Sequence, residues 1–407
     1  MRSRLLPFQP GSATLAAILI VAASATGADR PAVETVAAAN TAFALDLYRQ
    51  LAPAPGNLFF SPSSVSEVLG MALVGARGQT AAEMAATLHL NFPPDQVVAG
   101  LALLADRLGL GRHDGVTLVT ANSIWAQSQT PLLPEFLHSL RTQFSAEATS
   151  VDFGHAAEAA RTRINVWVAD KTRNKIPELI GAGMLDTQTR MVLVNAIYFK
   201  GRWAGPFEPR LTRPASFFLA PTRSVEVPTM HRTSKLRTVA LDGLRLIELP
   251  YSGQTISLVI LLPDASVGLA AIERDLTPEK LGPWLTRFDA AGKVEVALAL
   301  PRFSTAGHFD LGWQLGAMGM PAAFDPNAAD FSGMTGDRSL FLSTVIHQAV
   351  VEVNEEGTEA AAASGGVYAA FAVMRPLEIQ VDHPFLFLIR DQTTGTLLFL
   401  GRIVDPR

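Results

Sequence analysis

The side chains best suited to catalysis or metal binding are spread thinly along this sequence. No histidine belongs to an H-E-x-x-H pair or another metal-ligand spacing, and there is no cysteine to supply a thiolate. The G-x-S-x-G motif of serine hydrolases and the Walker motif are also missing. The sequence therefore predicts neither an enzyme nor a metal site. The histidines are His89, His113, His138, His155, His231, His308, His347 and His383.

Charge and glycine patterns exclude two further classes of ligand. The 407 residues carry a formal net charge of -4 and no dense Lys/Arg run, so nothing predicts a nucleic-acid or membrane-surface contact. The glycine-rich stretch 109–115 follows a helical pattern, whereas a dinucleotide site needs a preceding strand, so it is interpreted as a turn. No cofactor is expected. With 48% hydrophobic and 17% charged residues, the chain can build a large core.

The first 28 residues have the three parts of a secretory signal peptide. Arg2 and Arg4 precede an apolar stretch over 13–23, and small residues then permit cleavage after Ala25 or Ala28. An uncleaved anchor is the alternative, but the stretch is short for the roughly 20 residues of a bilayer span. We expect a secreted protein, extracellular or periplasmic, with no membrane contact after cleavage. The alanine-rich leader and the lack of N-x-[ST] acceptors favour bacterial export.

Hydrophobic periodicity predicts helices first and strands later in the chain. Phe43, Leu47 and Leu51 recur every four residues, as on one face of a helix. In the second half, apolar residues alternate with others from Val294 to Leu300, as in a half-buried strand. No Pro/Gly/Ser linker divides the chain after the leader. We therefore predict one α+β domain over residues 29–407.

Local signals also predict where two helices begin. Thr80 with Glu83 has the spacing of a capping box, and Thr277 before Pro278 fits an N-cap followed by proline in the first turn. Both predictions rest on short-range sequence alone.

The segment NEEGTEAAAASGGVYAAF (354–371) carries no catalytic pattern and needs another explanation. A helix starting at Thr358 would end at Gly365 after about two turns, which is marginal without packing. A surface loop would also suit the small side chains. A third interpretation is a latent strand, because every second residue from Thr358 to Ser364 is small enough to enter between packed strands. The preceding VIHQAVVEVN (345–354) is itself strand-like, so the segment could fold back beside it.

Six stretches of the chain resemble, in the expected order, sequences of the serpin family of serine protease inhibitors. The resemblance runs from about residue 37 to residue 407, and the stretch 355–364 resembles the hinge of inhibitory members. Asn174 stands where the family usually has glycine, and asparagine tolerates the left-handed turn required there. The stretches are NLFFSPSSVSEVLGMALVGARGQT (57–80), INVWVADKTRNKIPELI (164–180), LVNAIYFKGRW (193–203), ADFSGM (329–334), EEGTEAAAAS (355–364) and DHPFLFLIRDQTTGTLLFLGRI (382–403).

The resemblance implies both a fold and an activity. The fold would be the α+β serpin fold, a single domain with three β-sheets, about nine helices and an exposed reactive-centre loop over about 355–376. The activity would be suicide inhibition: a protease forms an acyl-enzyme with the loop, and the cut loop inserts into the central sheet and distorts the protease. A noninhibitory serpin, serving as a binder or chaperone, is the alternative. The alanine tract argues for inhibition, because noninhibitory members often carry bulky or charged hinge residues.

The resemblance also assigns residues to three sites of the insertion mechanism. At the breach, where the loop first enters, it predicts an ion pair between Arg302 and Glu355 that gates entry more than it stabilises the fold. At the shutter, a buried polar cluster would hold the sheet closed yet let it part. The hinge comprises Glu355, Glu356, Gly357, Thr358, Glu359, Ala360, Ala361, Ala362 and Ala363; the shutter comprises Ser61, Ser64, Asn195 and His347; the breach comprises Trp203, Arg302 and Glu355.

Two ways of counting place the scissile bond differently. Fourteen residues after Gly357 gives Phe371, followed by Ala372, whereas counting back eleven from the proline of DHPF gives Val373, followed by Met374. Phe371 is preferred, because hinge length controls how far the bound protease is carried. Phe371 predicts a chymotrypsin-like target and Val373 an elastase-like one. Cysteine proteases are possible secondary targets, since the trap acts on any acyl-enzyme. The inhibitor is expected to be a monomer.

Overall fold

Helices dominate the first half of the chain, as predicted. The structure, a computed structural model, describes residues 29–92, 94–108, 115–129, 131–357 and 375–407. The predicted signal peptide, most of the 109–115 turn and the loop residues 358–374 lie outside this part of the chain. The α-helices are α1 (Asp29–Leu51), α2 (Pro62–Gly75), α3 (Gly78–Thr87), α4 (Pro94–Leu108), α5 (Pro134–Phe144), α6 (Phe153–Lys171), α7 (Leu269–Asp275), α8 (Pro278–Asp289), α9 (Gly312–Ala317) and α10 (Ser332–Thr335), with 3₁₀ turns at Pro209–Leu211 and Pro321–Phe324.

The two predicted helix starts have opposite outcomes. Thr277 is the N-cap of α8 and Pro278 is its first residue, as predicted. The capping box at Thr80 and Glu83 is wrong, because α3 begins at Gly78 with Arg77 as its N-cap. The Thr80 hydroxyl accepts a hydrogen bond from the Asp330 backbone N–H (3.0 Å), and Glu83 accepts one from the Ala322 backbone N–H. Contacts distant in sequence therefore take the side chains that the local pattern had assigned to capping.

Fourteen strands form two hydrogen-bonded networks in the described part of the chain. The smaller is a five-stranded sheet in the order β10-β11-β4-β2-β3. The strands are β1 (Leu58–Phe60), β2 (Val116–Gln127), β3 (Glu147–Val151), β4 (Met191–Gly201), β5 (Arg213–Ala220), β6 (Arg223–Leu241), β7 (Leu244–Pro250), β8 (Ile256–Pro263), β9 (Lys293–Pro301), β10 (Phe303–Asp310), β11 (Leu342–Val353), β12 (Leu377–Gln380), β13 (Phe385–Asp391) and β14 (Leu397–Ile403).

The larger network consists of two sheets that share the long strand β6. Residues 223–237 of β6 pair with β5 and β9, and β12 completes that sheet on the far side of β9. Residues 238–241 of β6 pair with β7, and the second sheet continues through β8, β13 and β14 to β1. With the five-stranded sheet, this gives the three sheets that the resemblance implied.

The second and third strands in the order of the five-stranded sheet are β11 and β4, and they are parallel neighbours. Their register places Val350 opposite Tyr198 and His347 opposite Asn195. A strand that entered between these two parallel strands in the opposite direction would be antiparallel to both. It could therefore form an antiparallel ladder along each of its two edges. The sheet is closed at this position in the uncleaved chain.

Successive residues of β4 face two different cores, as strand geometry requires. Leu193 and Ile197 point into the larger core, which includes α2, β1 and β14. Val194 and Ala196 point into a smaller core beneath α6. Asn195 lies on the larger-core side of this alternation, where it meets α2. A similar alternation predicted for β9 is present, except that Val294 near the strand's start is 46% exposed.

Candidate functional site

The four predicted shutter residues lie together where α2 meets the central sheet. Ser61 caps α2, and its backbone N–H donates to Nε2 of His347 at 3.0 Å. Nδ1 of His347 is hydrogen-bonded to Oδ1 of Asn195. Nδ2 of Asn195 donates to the carbonyl oxygen of Ser64 at 2.9 Å and to its hydroxyl at 2.6 Å. All four residues are buried. The contact therefore joins β4 to β11 and joins both strands to α2.

The partners of His347 fix its protonation state. Because Asn195 Oδ1 can only accept, Nδ1 carries the proton; because the Ser61 N–H donates, Nε2 must keep its lone pair. The neutral ring fits this arrangement, and a second proton would face the Ser61 N–H. Burial, followed by the neighbouring His308, lowers the pKa of His347 to about 3. The closed sheet thus holds a neutral histidine at physiological pH.

The shutter contains a further residue that the sequence did not single out. Oδ1 of Asn122, on β2, accepts a hydrogen bond of 2.6 Å from Asn195 Nδ2. The Ser61 hydroxyl also donates to the carbonyl oxygen of Leu398 on β14 at 2.7 Å. An asparagine in the middle of a strand with many buried positions was the available signal for Asn122, since such a side chain needs a polar partner.

The predicted breach residues also come together, at the C-terminal end of β11. Nε of Arg302 donates to Oε1 of Glu355 at 2.7 Å, so the predicted ion pair is present. The Thr212 hydroxyl donates to the same carboxylate oxygen, a contact that the sequence gave no reason to expect. Burial of Glu355 favours its neutral form, but the hydrogen bonds from Arg302 and Thr212 outweigh this and lower its pKa. Glu355 is therefore a buried carboxylate held by a half-exposed arginine.

Trp203 fixes the other side of the breach. Its indole N–H donates to the carbonyl oxygen of Asn354 at 3.0 Å, and its ring stacks on Tyr251 with centroids 4.5 Å apart. The backbone N–H of Trp203 donates to the carbonyl oxygen of Glu356 at 2.9 Å. The backbone N–H of Phe207 donates to the carbonyl oxygen of Glu355 at 2.7 Å. The first two hinge residues are thus bound through their main chain as well as through Glu355.

The chain reverses direction between Asn354 and Gly357. These two residues exchange backbone hydrogen bonds, and Gly357 also forms an antiparallel bridge with Arg202, which follows β4. Gly357 has φ +136°, and a Cβ on it would lie 2.1 Å from the Gly201 carbonyl oxygen. Only glycine fits here, because any side chain would collide with the main chain of β4. We call residues 354–357 the hinge turn.

The hinge turn lies directly above the junction of β11 and β4. Gly357 pairs with Asn354 on one side and with Arg202 on the other, and these two residue numbers differ by 152. The paired residues His347 and Asn195 of β11 and β4 also differ by 152, so Gly357 keeps the register of the sheet. A strand continuing from Gly357 in this register would run antiparallel to both β11 and β4 and pass between them. The remaining hinge residues, Thr358 to Ala363, and the scissile candidates at 371–374 lie outside the described residues.

The described ranges contain neither a metal-binding cluster nor a membrane-spanning helix. No group of three or more His, Asp or Glu side chains there is arranged to hold a metal ion. No helix in the same ranges is both long and apolar enough to cross a membrane. Asn174 has φ +57°, the left-handed conformation predicted for it.

The closed five-stranded sheet, with polar clusters at its middle and at the hinge turn, matches a known family of proteins. The family model described as Serpin (serine protease inhibitor) matches residues 38–406, so this chain belongs to the serpin family. The α+β serpin fold implied by the resemblance is thereby confirmed.

Individual relatives cover nearly the whole chain. Human leukocyte elastase inhibitor is 43% identical over 384 residues, which are 92% of this chain and 100% of that protein. The bovine leukocyte elastase inhibitor is 45% identical over the same shares. Among solved structures, human thyroxine-binding globulin superposes with a TM-score of 0.83 at 33% identity, covering 92% of this chain and 99% of that one. Uncleaved ovalbumin superposes with a TM-score of 0.83 at 29% identity, covering 91% of this chain and 100% of that one.

Proposed function

We propose that this chain is a suicide inhibitor of an elastase-like or chymotrypsin-like serine endopeptidase and is not itself an enzyme. The observation that carries the proposal is the hinge turn, in which Gly357 pairs with both Asn354 and Arg202 in the register of the parallel neighbours β11 and β4. The small-residue tract that follows it in sequence can enter there. The leukocyte elastase inhibitors, at 40–45% identity, support the inhibitory interpretation.

In this mechanism the protease does the chemistry and the inhibitor changes shape. The protease serine attacks the carbonyl carbon of the scissile residue, the peptide C–N bond breaks, and the leaving amine takes a proton. The loop then remains joined to the protease through an ester. Freed from the residues that follow the scissile bond, the N-terminal part of the loop inserts between β11 and β4 and carries the protease with it.

The register makes the small side chains of the tract necessary on one face. Ala360 would lie between Phe199 and Val351, and Ala362 between Ile197 and Ala349, all of them buried. Larger side chains at these two positions would collide with a core that is already packed. Ser364 would lie between Asn195 and His347, where its hydroxyl can replace the hydrogen bond that the entering strand separates.

The target class follows from the scissile bond. Cleavage after Phe371 requires a deep apolar pocket, as in chymotrypsin-like enzymes, whereas cleavage after Val373 suits an elastase-like pocket. We retain Phe371–Ala372 as the first proposal and Val373–Met374 as the alternative. The names of the relatives favour an elastase-like target, and cysteine proteases remain candidates for secondary inhibition.

The test combines a denaturing gel with mass spectrometry. The mature protein is mixed separately with chymotrypsin and with neutrophil elastase, and the released C-terminal fragment is weighed. We expect a denaturation-resistant band at the summed mass and a fragment beginning at Ala372 or Met374. Complete loop cleavage by both proteases without that band would contradict the proposal.

A noninhibitory ligand-binding role is the second candidate. Thyroxine-binding globulin, solved in complex with thyroxine, has the same fold and favours this alternative. It predicts loop cleavage without a covalent complex and without any rise in melting temperature. The small hinge residues argue against it, because a loop that never inserts has no need of them.

Secretion and a monomeric state complete the proposal. The serpin match starts at residue 38, which leaves the proposed signal peptide, residues 1–28, outside the family model. N-terminal sequencing of protein recovered from medium and periplasm should begin at residue 26 or 29. Residues 29–407 would then form the mature inhibitor, and light scattering should give the mass of one chain.

A further inference from the structure

An apolar groove of about 900 Å³ lies between α3 and α4. Both helices pack against α2, and the last residues of α2 also line the groove. Leu73 of α2 and Val97 of α4 line it and are buried, and Phe92 and Val98 line it and are half-buried. We call it the helical groove. Its volume lies in the range of about 300–1,000 Å³ that is typical of small-molecule sites.

The side chains that α3 contributes to the helical groove are short. Ala81, Ala82 and Ala85 line it, and Ala81 and Ala85 are four residues apart, on one face of the helix. Protein interiors normally pack with few voids larger than a water molecule, so larger side chains are expected where neighbouring helices meet. The alanines instead leave a concave apolar surface, which is typical of a site that a ligand covers.

Arg77 places a positive charge at the edge of the helical groove, where it is exposed. Its Nη1 donates to the carbonyl oxygens of Val74 at 3.0 Å and Ala76 at 2.7 Å. Its Nε and Nη2 have no hydrogen-bond partner among the described residues, and no carboxylate there pairs with it. The backbone carbonyl of Asp330 accepts from the Arg77 N–H, but the Asp330 carboxylate pairs with Arg338 at 2.7 Å. The guanidinium of Arg77 therefore keeps two donors for an anion.

The remaining lining shows which end of a ligand Arg77 would bind. Apart from Arg77, Gln143 of α5 is the one polar side chain that the described residues contribute to the helical groove. No carboxylate lines it, so nothing in the groove favours a cationic ligand. Charge complementarity and the apolar walls together select a molecule with an apolar chain and an anionic end.

We propose that the helical groove binds a long-chain carboxylate of the fatty-acid class. The chain lies between α3 and α4, and the carboxylate accepts hydrogen bonds from Nε and Nη2 of Arg77, the side-by-side donors that suit a bidentate contact. The site is separate from the shutter and from the hinge turn. Binding is therefore expected whether or not the loop inserts.

Calorimetric titration of the mature chain tests the ligand class. The probes are dodecanoate, neutral dodecanol and cationic dodecyltrimethylammonium, each below its micelle concentration. We expect saturable binding of dodecanoate at one site, weaker binding of dodecanol and none of the cation. Each buried methylene is worth about fourfold in affinity, so octanoate should bind roughly 200-fold more weakly than dodecanoate.

Two substitutions that fill the helical groove test its location. Ala81→Phe and Ala85→Leu should each weaken dodecanoate binding by about tenfold or more, because their side chains take the space of the ligand chain. Ala86→Phe is the matched control, since Ala86 is an exposed residue of the same helix outside the groove. The melting temperature of each variant without ligand verifies that the fold is retained.

Substitution of Arg77 tests the carboxylate contact. Arg77→Gln should weaken dodecanoate binding by about two- to fivefold, the effect of an exposed ion pair, and leave dodecanol binding unchanged. Arg77→Lys keeps the charge and should recover part of the loss. Arg141→Gln, which removes an exposed arginine of α5 outside the groove, is the control and should change neither affinity.

Three results would overturn the inference. Absence of saturable dodecanoate binding would show that the helical groove is not a site for this class of ligand. Binding that survives both filling substitutions would place the ligand elsewhere on the protein. Equal affinities for dodecanoate and dodecanol, with no effect of Arg77→Gln, would contradict the role of the carboxylate. None of these results bears on protease inhibition, which the gel assay measures separately.

Discussion

His347 lies where α2, β4 and β11 meet, and both of its ring nitrogens already have partners. Its pKa of about 3 is far below the value of about 6.5 expected in the unfolded chain. Between these two values the unfolded chain binds a proton that the folded chain does not. Stability contributed by the neutral ring is therefore complete above about pH 6.5 and is lost as the pH falls toward 3.

A pH titration of stability tests this residue. From pH 6 to pH 4, His347 should lower the free energy of unfolding by about 1.4 kcal/mol per pH unit, the value for one proton. His347→Gln cannot titrate, so the slope should be shallower by that amount, although the variant is less stable at pH 7. Urea denaturation at each pH measures the difference. The exposed His138→Gln is the control, and a slope unchanged by His347→Gln would contradict the assignment.

At the residue scale, the sequence predicted site residues correctly where they lie in stretches that resemble the family. It placed Ser61, Asn195 and His347 in one cluster through the family resemblance. It missed Asn122 and Thr212, because their partners come from β4 and from the hinge turn, which are far away in sequence. The failed capping box at Thr80 has the same cause, since its hydroxyl binds Asp330, 250 residues later.

At the element scale, the junction between β11 and β4 sets what the loop must be. Residues entering there from the hinge turn alternate between the large core and the α6 side. In the inserted strand, Ala362 would lie between Ile197 and Ala349, which are both buried. A charge at this position would have to be buried without a partner.

Substitution of a single hinge residue tests the register. Ala362→Glu should abolish the covalent complex and turn the chain into a substrate, because burial of an unpaired carboxylate blocks insertion. Glu359→Gln is the matched control: in the inserted strand this residue would lie opposite Lys200 and the exposed Glu352, so the variant should keep complex formation. The measurement is the ratio of complex to cleaved inhibitor on a denaturing gel. Normal trapping by Ala362→Glu would refute the register.

The strands themselves were easier to predict than their order. Alternation indicated β9, and the strand-like stretch 345–354 indicated β11. The neighbours of β11 are β10 and β4, and β4 precedes it by about 140 residues of chain. Periodicity describes one strand at a time, so it could not predict this pairing.

At the scale of the whole molecule, the described part of the chain contains a closed five-stranded sheet, and residues 358–374 are enough main chain for one more strand. Cleavage should allow a sixth strand to form two new ladders at once. The sequence has no cysteine, so disulfides play no part in the stability of either state. The gain on cleavage should come from new main-chain hydrogen bonds and buried apolar contacts.

The difference in melting temperature between the uncleaved and the cleaved chain measures this gain in stability. The cleaved chain should melt at a higher temperature, because an inserted strand would add main-chain hydrogen bonds, each contributing about 0.5–1.5 kcal/mol, and would bury further apolar side chains. Scans at two heating rates should show that the uncleaved form is the one whose transition moves with rate. Cleaved Ala362→Glu supplies the control and should gain nothing. Equal melting temperatures for both wild-type forms would contradict a metastable fold.

The hinge turn has a consequence for timing. Once the ester to the protease has formed, strand addition competes with water for the outcome: hydrolysis releases an active protease, whereas completed addition disables it. Closing a chain segment into its first pair is the slow, entropically costly step, and later pairs add one after another. Gly357 already occupies that first pair between Asn354 and Arg202. The first residue pair of the inserted strand is thus formed before cleavage. Insertion then requires only the addition of further pairs, which favours it over hydrolysis of the ester.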